Sequence, residues 1–343
     1  MQVLVIRDAP EAVLEEKIRE FYESQSFRTV FQSVDYFLFF KEVRFYKPLL
    51  FVTIESDRVT GLLLAVLIRE GDGLLSLMSQ RCVVYGGPMA IKDDPEIINA
   101  LLVKLNNTVK HSALFTQFRN FREWPGQVHH VFKANGFVLR DRLNSFVLLQ
   151  EKFPVEMQFS TSRRRQLKKA LQSGAIVREA NSQKEVDQLY TLLEDLYHQK
   201  VKKPIPDQQF FKLFFKKIVP KAAGVILLVW YADKLIGGIV SPVTEGVSIS
   251  ELYVCGLDRE YPACYPSVLA TWAAMDYGQR HGLQYFDFMG LGRPEVPYGV
   301  RDFKLRFGGN QMNLGRYARR NQKVLYIIAE LGYNVWRALR SKV

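Results

Sequence analysis

Apolar residues recur along the chain at two spacings, one typical of amphipathic helices and one typical of strands, and they predict a similar series of elements in each half. In the first half we predict helices over Glu11–Ser24 and Val30–Tyr46, a hairpin over Leu49–Ile68, a strand over Gln80–Tyr85, a helix over Glu96–Ser112 and strands over Ala113–Arg119, Gly136–Leu139 and Ser145–Leu149. In the second half we predict a basic helix over Ser160–Gly174, helices over Val186–Tyr197 and Gln209–Ile218, a hairpin over Val225–Ser241, a strand over Ile249–Leu257, a helix over Pro266–His281 and a strand over Tyr285–Met289.

The two hairpins can be aligned with each other. Phe51–Ala65 and Leu228–Val240 both consist of two apolar strands joined by a turn, and Asp57 of the first turn matches Asp233 of the second. A repeat of this length indicates two tandem copies of one α/β domain, because solenoid repeats are far shorter. We therefore expect domains over residues 1–152 and 153–316, followed by a C-terminal helix over 317–343.

Composition narrows the class of protein. The chain has 343 residues, which favours two hydrophobic cores, and a net charge of +12, which favours a polyanionic partner. Its three cysteines are scattered and lack metal-binding spacing, which indicates a reducing compartment and predicts no metal site. The N-terminal apolar run is too short for a signal peptide, and no apolar run is long enough to span a membrane.

The stretch from Tyr285 to Gly309 carries the densest candidate chemistry. A predicted strand over Tyr285–Met289 is followed by a loop rich in Gly and Pro and by a second predicted strand over Arg301–Phe307. In that second strand apolar and charged residues alternate, so that Lys304 is expected on the charged edge. Taken alone, such a lysine is equally consistent with an ordinary solvated residue.

The order of elements resembles the GNAT acyltransferase fold, and two such domains in tandem resemble the FemABX family of peptidoglycan bridge-forming aminoacyltransferases. The residues that carry the resemblance are Gln32-Ser33 with Lys41 downstream, Gly86-Gly87-Pro88, the helix start at Ser160–Arg165, Phe286–Gly290, Gly299–Lys304 and Phe307-Gly308-Gly309. The resemblance implies an α/β (α+β) protein with mixed, mostly antiparallel sheets flanked by helices. The long helical arm of some members has no room in this chain.

Members of this family take an amino acid from aminoacyl-tRNA and attach it to an amine of the stem peptide of a peptidoglycan precursor, either lipid II or its nucleotide-linked form. The resemblance therefore implies a metal-free, cofactor-free enzyme of cell-wall biogenesis and cell shape. It implies a cytoplasmic protein, with a peripheral position at the inner face of the cell membrane as a further expectation.

The resemblance also assigns roles to individual residues. Lys304 corresponds to a lysine that serves catalysis or the substrate phosphates, since a positioned ammonium can stabilise a developing oxyanion. The remaining predicted substrate-binding residues are Lys41, Lys200, Tyr253, Asp287, Arg293, Tyr298 and Phe303. Lys41 and Lys200 are placed at the diphosphate of the precursor, although the register at Lys200 could equally select Lys202 or Lys203.

Two basic segments have alternative interpretations. The first could contact tRNA phosphates or form a solvated helix face, and it consists of Arg163, Arg164, Arg165, Lys168 and Lys169. The second is the C-terminal helix, in which residues such as Val324 and Trp336 recur at helical spacing among basic residues. That helix could contact an anionic membrane or pack on the protein.

Two other functions remain open from the sequence. The chain could be a GNAT-like N-acyltransferase that uses acyl-CoA or an acyl carrier protein, or a non-catalytic protein that binds an envelope precursor. A GNAT binds the pyrophosphate of CoA on a Gly-rich loop at a helix N-terminus. The equivalent loop here, Asp258–Pro266, contains no glycine and two prolines, which argues against CoA.

Overall fold

The computed structural model describes residues 1–71, 79–149, 152–198 and 205–329, and it divides into two compact units. Unit 1 contains Met1–Asp141 together with the C-terminal segment that begins at Leu314, whereas unit 2 contains Arg142–Asn313. Unit 1 is therefore discontinuous in sequence, unlike the predicted domain over residues 1–152.

Unit 1 is a mixed sheet with helices. Its strands are β1 (Gln2–Ile6), β2 (Tyr46–Glu55), β3 (Arg58–Ile68), β4 (Arg81–Tyr85), β5 (Met89–Ala90), β6 (Phe115–Arg119), β7 (Val138–Arg140) and, from the C-terminal segment, β16 (Arg316–Arg320). Its α-helices are α1 (Ala12–Ser24), α2 (Val34–Glu42), α3 (Pro95–Val109) and α4 (Gly126–Ala134). The strand order is β1-β2-β3-β4-β6-β16-β7, with β5 paired to β3, and of the pairs described only β4 and β6 are parallel.

Unit 2 repeats this plan. Its strands are β8 (Leu143–Leu148), β9 (Ile176–Glu179), β10 (Gly224–Tyr231), β11 (Lys234–Thr244), β12 (Ser248–Ser250), β13 (Tyr253–Gly256), β14 (Tyr285–Asp287) and β15 (Asn310–Asn313). Its α-helices are α5 (Thr161–Gln172), α6 (Gln183–Leu196), α7 (Gln208–Leu213), α8 (Pro266–Arg280) and α9 (Gly299–Leu305). The strand order is β15-β8-β14-β12-β11-β10-β9, with β13 paired to β11, and here the described parallel pair is β12 with β14.

Shorter helical turns connect these elements. They are the 3-10 turns Val30–Gln32, Ile91–Asp93, Val155–Gln158 and Val219–Lys221 and the π-helical segment Phe214–Ile218. The predicted helix over Val30–Tyr46 is thus a 3-10 turn followed by α2, which begins after Ser33 because the Ser33 side chain caps the amide of Tyr36.

The predicted match between the two hairpins is confirmed by their turns. Ser56 and Asp57 join β2 to β3, Ala232 and Asp233 join β10 to β11, and all four residues have positive φ. Two consecutive left-handed residues produce the tight turn that suits the twist of paired strands, and Asp is among the residues that tolerate this conformation best. The predicted fold class, two tandem α/β domains with mixed, mostly antiparallel sheets, is likewise confirmed.

Candidate functional site

In unit 2 the two parallel strands part near their carboxyl ends. Pairing between β12 and β14 ends at Ser250 and Asp287, followed by one hydrogen bond of 2.8 Å from the Glu251 amide to the Asp287 carbonyl. After Glu251 the chain continues as β13, which pairs with β11 and not with β14. The predicted single strand over Ile249–Leu257 is therefore two strands, and the break leaves backbone groups after Asp287 available to other partners.

Lys304 occupies this break. Its Nζ donates hydrogen bonds to the carbonyl oxygens of Phe288 at 2.8 Å and Gly290 at 3.3 Å, and it forms an ion pair with Oε1 of Glu251 at 2.9 Å. The side chains of Lys304 and Glu251 are 10% and 4% exposed. A buried ammonium requires a partner for each of its N–H groups, and these three oxygens supply them.

Asp287 lies beside this ion pair. Its Oδ1 accepts hydrogen bonds from Asn144 Nδ2 at 2.8 Å and from the Met289 amide at 2.6 Å, and the latter holds Met289 in a left-handed conformation. Burial raises the pKa of Asp287 to about 6, although these two hydrogen bonds and the charge of Lys304 act in the opposite direction. One oxygen of the neighbouring Glu251, Oε2, is buried without a hydrogen-bond partner in the described part of the chain.

The raised pKa of Asp287 predicts a pH effect on stability. Its value in the folded chain exceeds the ordinary 3.8, so between these values the folded chain binds more protons than the unfolded chain. The contribution of Asp287 to the free energy of unfolding should therefore decrease by up to about 1.4 kcal/mol per pH unit as the pH rises from about 4 to 6, and stay level above. Chemical denaturation of the wild type and Asp287→Asn across this range measures it, and parallel pH profiles for the two proteins would contradict it.

The segment that delivers Lys304 is a helix, so the prediction of a strand over Arg301–Phe307 is wrong. Phe303 and Phe307 are four residues apart, a spacing that places two residues on one face of either a helix or a strand. In the structure the centroids of their rings lie 5.4 Å apart, and Phe307 is fully buried. Lys304 points to a different side of α9 and is buried rather than solvated.

The other predicted substrate residues of unit 2 lie in different surroundings. Tyr253 packs in an aromatic cluster with Tyr197, Phe210 and Phe211 at ring distances of 5.3 to 6.1 Å. Phe303 is half-buried, Tyr298 precedes α9 and is half-buried, and Arg293 is exposed in the preceding loop. The Arg301 guanidinium donates hydrogen bonds to the carbonyls of Leu291 and Arg293, which fixes this loop to α9.

The basic helix predicted to contact tRNA has two different faces. Arg164, Arg165, Lys168 and Lys169 are exposed on α5. Arg163, in contrast, is only 2% exposed. Its guanidinium carbon lies 4.4 Å from the centre of the Phe303 ring and 4.3 Å from the centre of the Phe307 ring, so the group stacks on both rings. Because it is buried, Arg163 does not belong to the exposed basic face that the sequence predicts.

Unit 1 provides fewer features for the predicted site. Lys41 lies near the end of α2 and forms an exposed ion pair with Asp8 at 2.8 Å. Gln32 is buried and bridges β3 and β4 through hydrogen bonds to Leu64 and Tyr85, which gives it a structural role. Lys200 lies outside the described residues. Pairing between β4 and β6 likewise ends at Tyr85 and Arg119, followed by one hydrogen bond of 2.9 Å from the Gly86 amide to the Arg119 carbonyl, and the chain then continues to β5, which pairs with β3. Unit 1 therefore contains a similar break, with Gly86 at the position that Glu251 has in unit 2.

The start of α8 bears on the choice of acyl donor. Asp258 accepts hydrogen bonds from the Ser267 amide at 3.1 Å and from the Ser267 hydroxyl at 2.5 Å. This carboxylate therefore lies at the helix N-terminus, where a GNAT places the pyrophosphate of CoA.

The described part of the C-terminal segment continues from β16 into helical residues 323–329. Val324, Leu325, Ile327 and Ile328 are exposed there, whereas Tyr326 packs on Phe115 at 5.7 Å. The predicted positions further along this helix, including Trp336, lie outside the described residues. No helix in the described ranges is long and apolar enough to cross a membrane.

Comparison with known proteins agrees with this fold. Residues 158–305 match the family described as acetyltransferase (GNAT) domain. No curated protein sequence matches the chain.

Several solved structures are similar over nearly their whole length. A crystal structure of FemX is 14% identical and has a TM-score of 0.73, with 96% of this chain and 99% of FemX covered. A tandem GNAT protein from the clavulanic acid biosynthesis pathway is 10% identical, with a TM-score of 0.60 and coverages of 93% and 99%. L-PGS from Bacillus licheniformis is 14% identical, with a TM-score of 0.57 and coverages of 95% and 98%. The protein thus has a tandem GNAT-like fold similar to that of FemX, and the match to the acetyltransferase (GNAT) domain family lies in its second unit.

Proposed function

We propose that the protein is an aminoacyltransferase that moves an amino acid from aminoacyl-tRNA to an amine of the stem peptide of a peptidoglycan precursor. The observation that carries the proposal is the buried cluster of Lys304, Glu251 and Asp287 at the break between β12 and β14. The similarity in fold to FemX supports the reaction class. Both substrates are present at the inner face of the cell membrane, so the protein would act in the cytoplasm, in peripheral contact with that membrane.

The cluster supplies what aminolysis of an ester needs. The acceptor amine attacks the ester carbonyl, a C–N bond forms, and the C–O bond to the ribose of the donor breaks. Lys304 would exchange its 3.3 Å bond to Gly290 for a bond to the developing oxyanion. The amine must lose a proton and the ribose oxygen must gain one, and a carboxylate beside the ammonium can carry that proton.

Asp287 is the better of the two carboxylates for this role. Its pKa of about 6 keeps it ionised at neutral pH yet basic enough to accept a proton. Glu251 forms the ion pair that holds Lys304 in place, so we assign it a positioning role. Sequence reasoning missed Glu251, because a single glutamate after a short strand carries no local signal of its partner.

An acyl-CoA-dependent N-acyltransferase is the second candidate, favoured by the match of residues 158–305 to the acetyltransferase (GNAT) domain. The hydrogen bonds of Asp258 at the start of α8 argue against it, because a negative charge already occupies the position of the CoA pyrophosphate. Purified protein incubated with charged tRNAs and lipid II, and separately with acyl-CoA and the same acceptor, distinguishes the two. We expect an added amino-acid mass with at least one tRNA and none with acyl-CoA, and the reverse pattern would establish the second candidate.

The exposed basic face of α5 would contribute to tRNA binding. We expect Lys168→Glu combined with Lys169→Glu to raise the KM for aminoacyl-tRNA about tenfold or more at low salt, with little change at high salt, because phosphate contacts are salt-dependent. Steady-state kinetics at several salt concentrations measure this. The matched control is Lys216→Glu combined with Lys217→Glu in the π-helical segment, and an equal effect of both pairs would show a contribution of net charge alone.

A further inference from the structure

The helical residues 323–329 that follow β16 are attached to unit 1 along one side. Tyr326 packs edge-to-face on Phe115 of β6, with ring centroids 5.7 Å apart. The Gln322 side chain donates a hydrogen bond to the His111 carbonyl at 3.0 Å, and the Gln322 amide donates one to the Leu114 carbonyl at 3.2 Å. Because Gln322 and Tyr326 are four residues apart, they lie on the same side of the helix, and this side faces the protein.

The opposite side of the helix is apolar and exposed. It consists of four side chains that are 43% to 72% exposed: Val324, Leu325, Ile327 and Ile328. Successive residues of an α-helix are rotated by about 100°, which places these side chains in an arc of about 160° centred opposite Tyr326. We call this arc the apolar face. Exposed apolar residues are ordinary when they occur singly, whereas a contiguous set indicates an interaction surface.

The charge around the apolar face favours an anionic partner. From Leu314 to Val343 the sequence has seven basic residues and one acidic residue. Exposed Lys323 immediately precedes the apolar face, and the guanidinium of exposed Arg320 lies 4.6 Å from the centre of the Tyr326 ring. A second copy of the chain, related by two-fold symmetry, would bring these same positive charges together, which is unfavourable. An anionic lipid surface, in contrast, attracts basic residues at its headgroups and accepts apolar side chains below them.

We propose that the apolar face docks the protein on a membrane surface that carries anionic lipids. The helix would lie parallel to that surface, with Val324 and Ile328 at the boundary between headgroups and acyl chains and with Lys323 at the headgroup phosphates. The contacts of Gln322 and Tyr326 are on the other side of the helix, so docking leaves its attachment to unit 1 intact. Binding of this kind is reversible and depends on both apolar burial and charge.

Membrane docking has a consequence for the acceptor, and this step rests on the proposed function. A protein held at the membrane meets a lipid-linked precursor at a raised local concentration, whereas a nucleotide-linked precursor is dissolved in the surrounding water. Loss of docking should therefore raise the KM for lipid II in vesicles and leave the KM for the nucleotide-linked precursor unchanged. The apolar face thus favours the lipid-linked form as the acceptor.

Flotation of the full chain with lipid vesicles tests the docking surface. The face variant combines Val324→Gln with Ile328→Gln. Its matched control combines Val13→Gln in α1 with Val103→Gln in α3, at positions that are 67% and 44% exposed on other helices of unit 1. With vesicles of phosphatidylglycerol and phosphatidylcholine, we expect the face variant to bind about tenfold more weakly than the wild type or less, and the control to bind as the wild type does. Lys323→Glu should weaken binding at low salt and have less effect at high salt.

Equal vesicle binding by the wild type and the face variant would overturn the proposal. So would equal weakening by the control pair, because any exposed apolar side chains would then suffice. Unchanged vesicle binding with a lower melting temperature of the face variant would show that another part of this chain covers the face. Unchanged vesicle binding with a shift from dimer to monomer in sedimentation would assign the face to a second copy, and both results would refute docking on a membrane.

Two further results separate this inference from the proposed function. Vesicle binding that depends on the apolar face, without transfer from any charged tRNA, would leave the docking surface standing and refute the proposed function. Transfer from charged tRNA to a precursor by a protein that does not bind vesicles would do the opposite.

Discussion

Lys304→Met will reduce aminoacyl transfer about a hundredfold or more, because the substitution removes the only ammonium at the break between β12 and β14 in the described structure. The effect should appear in kcat more than in the KM for either substrate, since the stabilisation applies to the oxyanion that forms during the reaction. Steady-state rates with saturating aminoacyl-tRNA and precursor measure it.

The same substitution will also destabilise the protein. It leaves the Glu251 carboxylate buried without its partner, and breaking a buried ion pair from one side costs about 3–5 kcal/mol. Glu251→Gln in the Lys304→Met background removes that charge and should recover most of the lost free energy of unfolding. Transfer should not recover, because the ammonium is still missing. This combination separates the catalytic role of Lys304 from its structural one.

Lys184→Met, at an exposed position of α6, is the matched control and should alter neither stability nor transfer. A double variant of Lys304 and Glu251 that folds normally and transfers at the wild-type rate would show that the chemistry lies elsewhere. Loss of transfer in the Lys304→Met variant alone, with full recovery in the double variant, would assign Lys304 a structural role only.

The repeat was the part of the fold most accessible to sequence reasoning. The aligned hairpins are long and apolar, and their turns carry Asp at matching positions that need a left-handed backbone. Long periodic helices such as α3 and α8 were also predicted to within a few residues. Short elements were missed, among them β1, α4 and β9, because a few residues of strand or helix give too little periodicity to recognise.

The helix that carries Lys304 shows where periodicity fails. Alternation over seven residues cannot distinguish a strand from two turns of helix when the apolar residues are four apart, as Phe303 and Phe307 are. The choice is made by tertiary contacts, since Phe307 packs in the core and Arg163 stacks on both rings. Lys304 could be selected as a candidate from its resemblance to the family, but its burial and its pairing with Glu251 depend on residues more than 50 positions away.

The pairing partners of the strands near the boundaries between the two units could also not be predicted from the local sequence. The predicted strand over Ser145–Leu149 exists as β8, but it pairs with β14 and β15 in unit 2 rather than closing unit 1. The corresponding place in unit 1, between β6 and β7, is taken by β16 from the C-terminal segment. Only the pairing partner differs from the prediction, and nothing within a single strand encodes its partner.

The position of β16 leads to a prediction of large effect on stability. Tyr317 is the second residue of this strand, is 2% exposed, and stacks on Phe132 with ring centroids 3.9 Å apart. Its hydroxyl group forms a hydrogen bond with Nδ1 of His129. We expect Tyr317→Ala to lower the free energy of unfolding of unit 1 by about 3–5 kcal/mol, because it removes a buried aromatic ring from the core and leaves a cavity. Tyr317→Phe keeps the ring and should cost only about 1 kcal/mol.

Hydrogen exchange followed by mass spectrometry can assign this loss to one unit. Because β16 holds β6 and β7 together, the amides of these strands should lose protection in Tyr317→Ala, whereas those of β10 and β11 in unit 2 should keep it. Arg319→Ala, on the same strand but half-exposed, controls for any general effect of altering β16. Unchanged protection of β6 and β7 in Tyr317→Ala would mean that β16 contributes little to unit 1, and the C-terminal segment would then be a peripheral addition to this sheet instead of one of its structural strands.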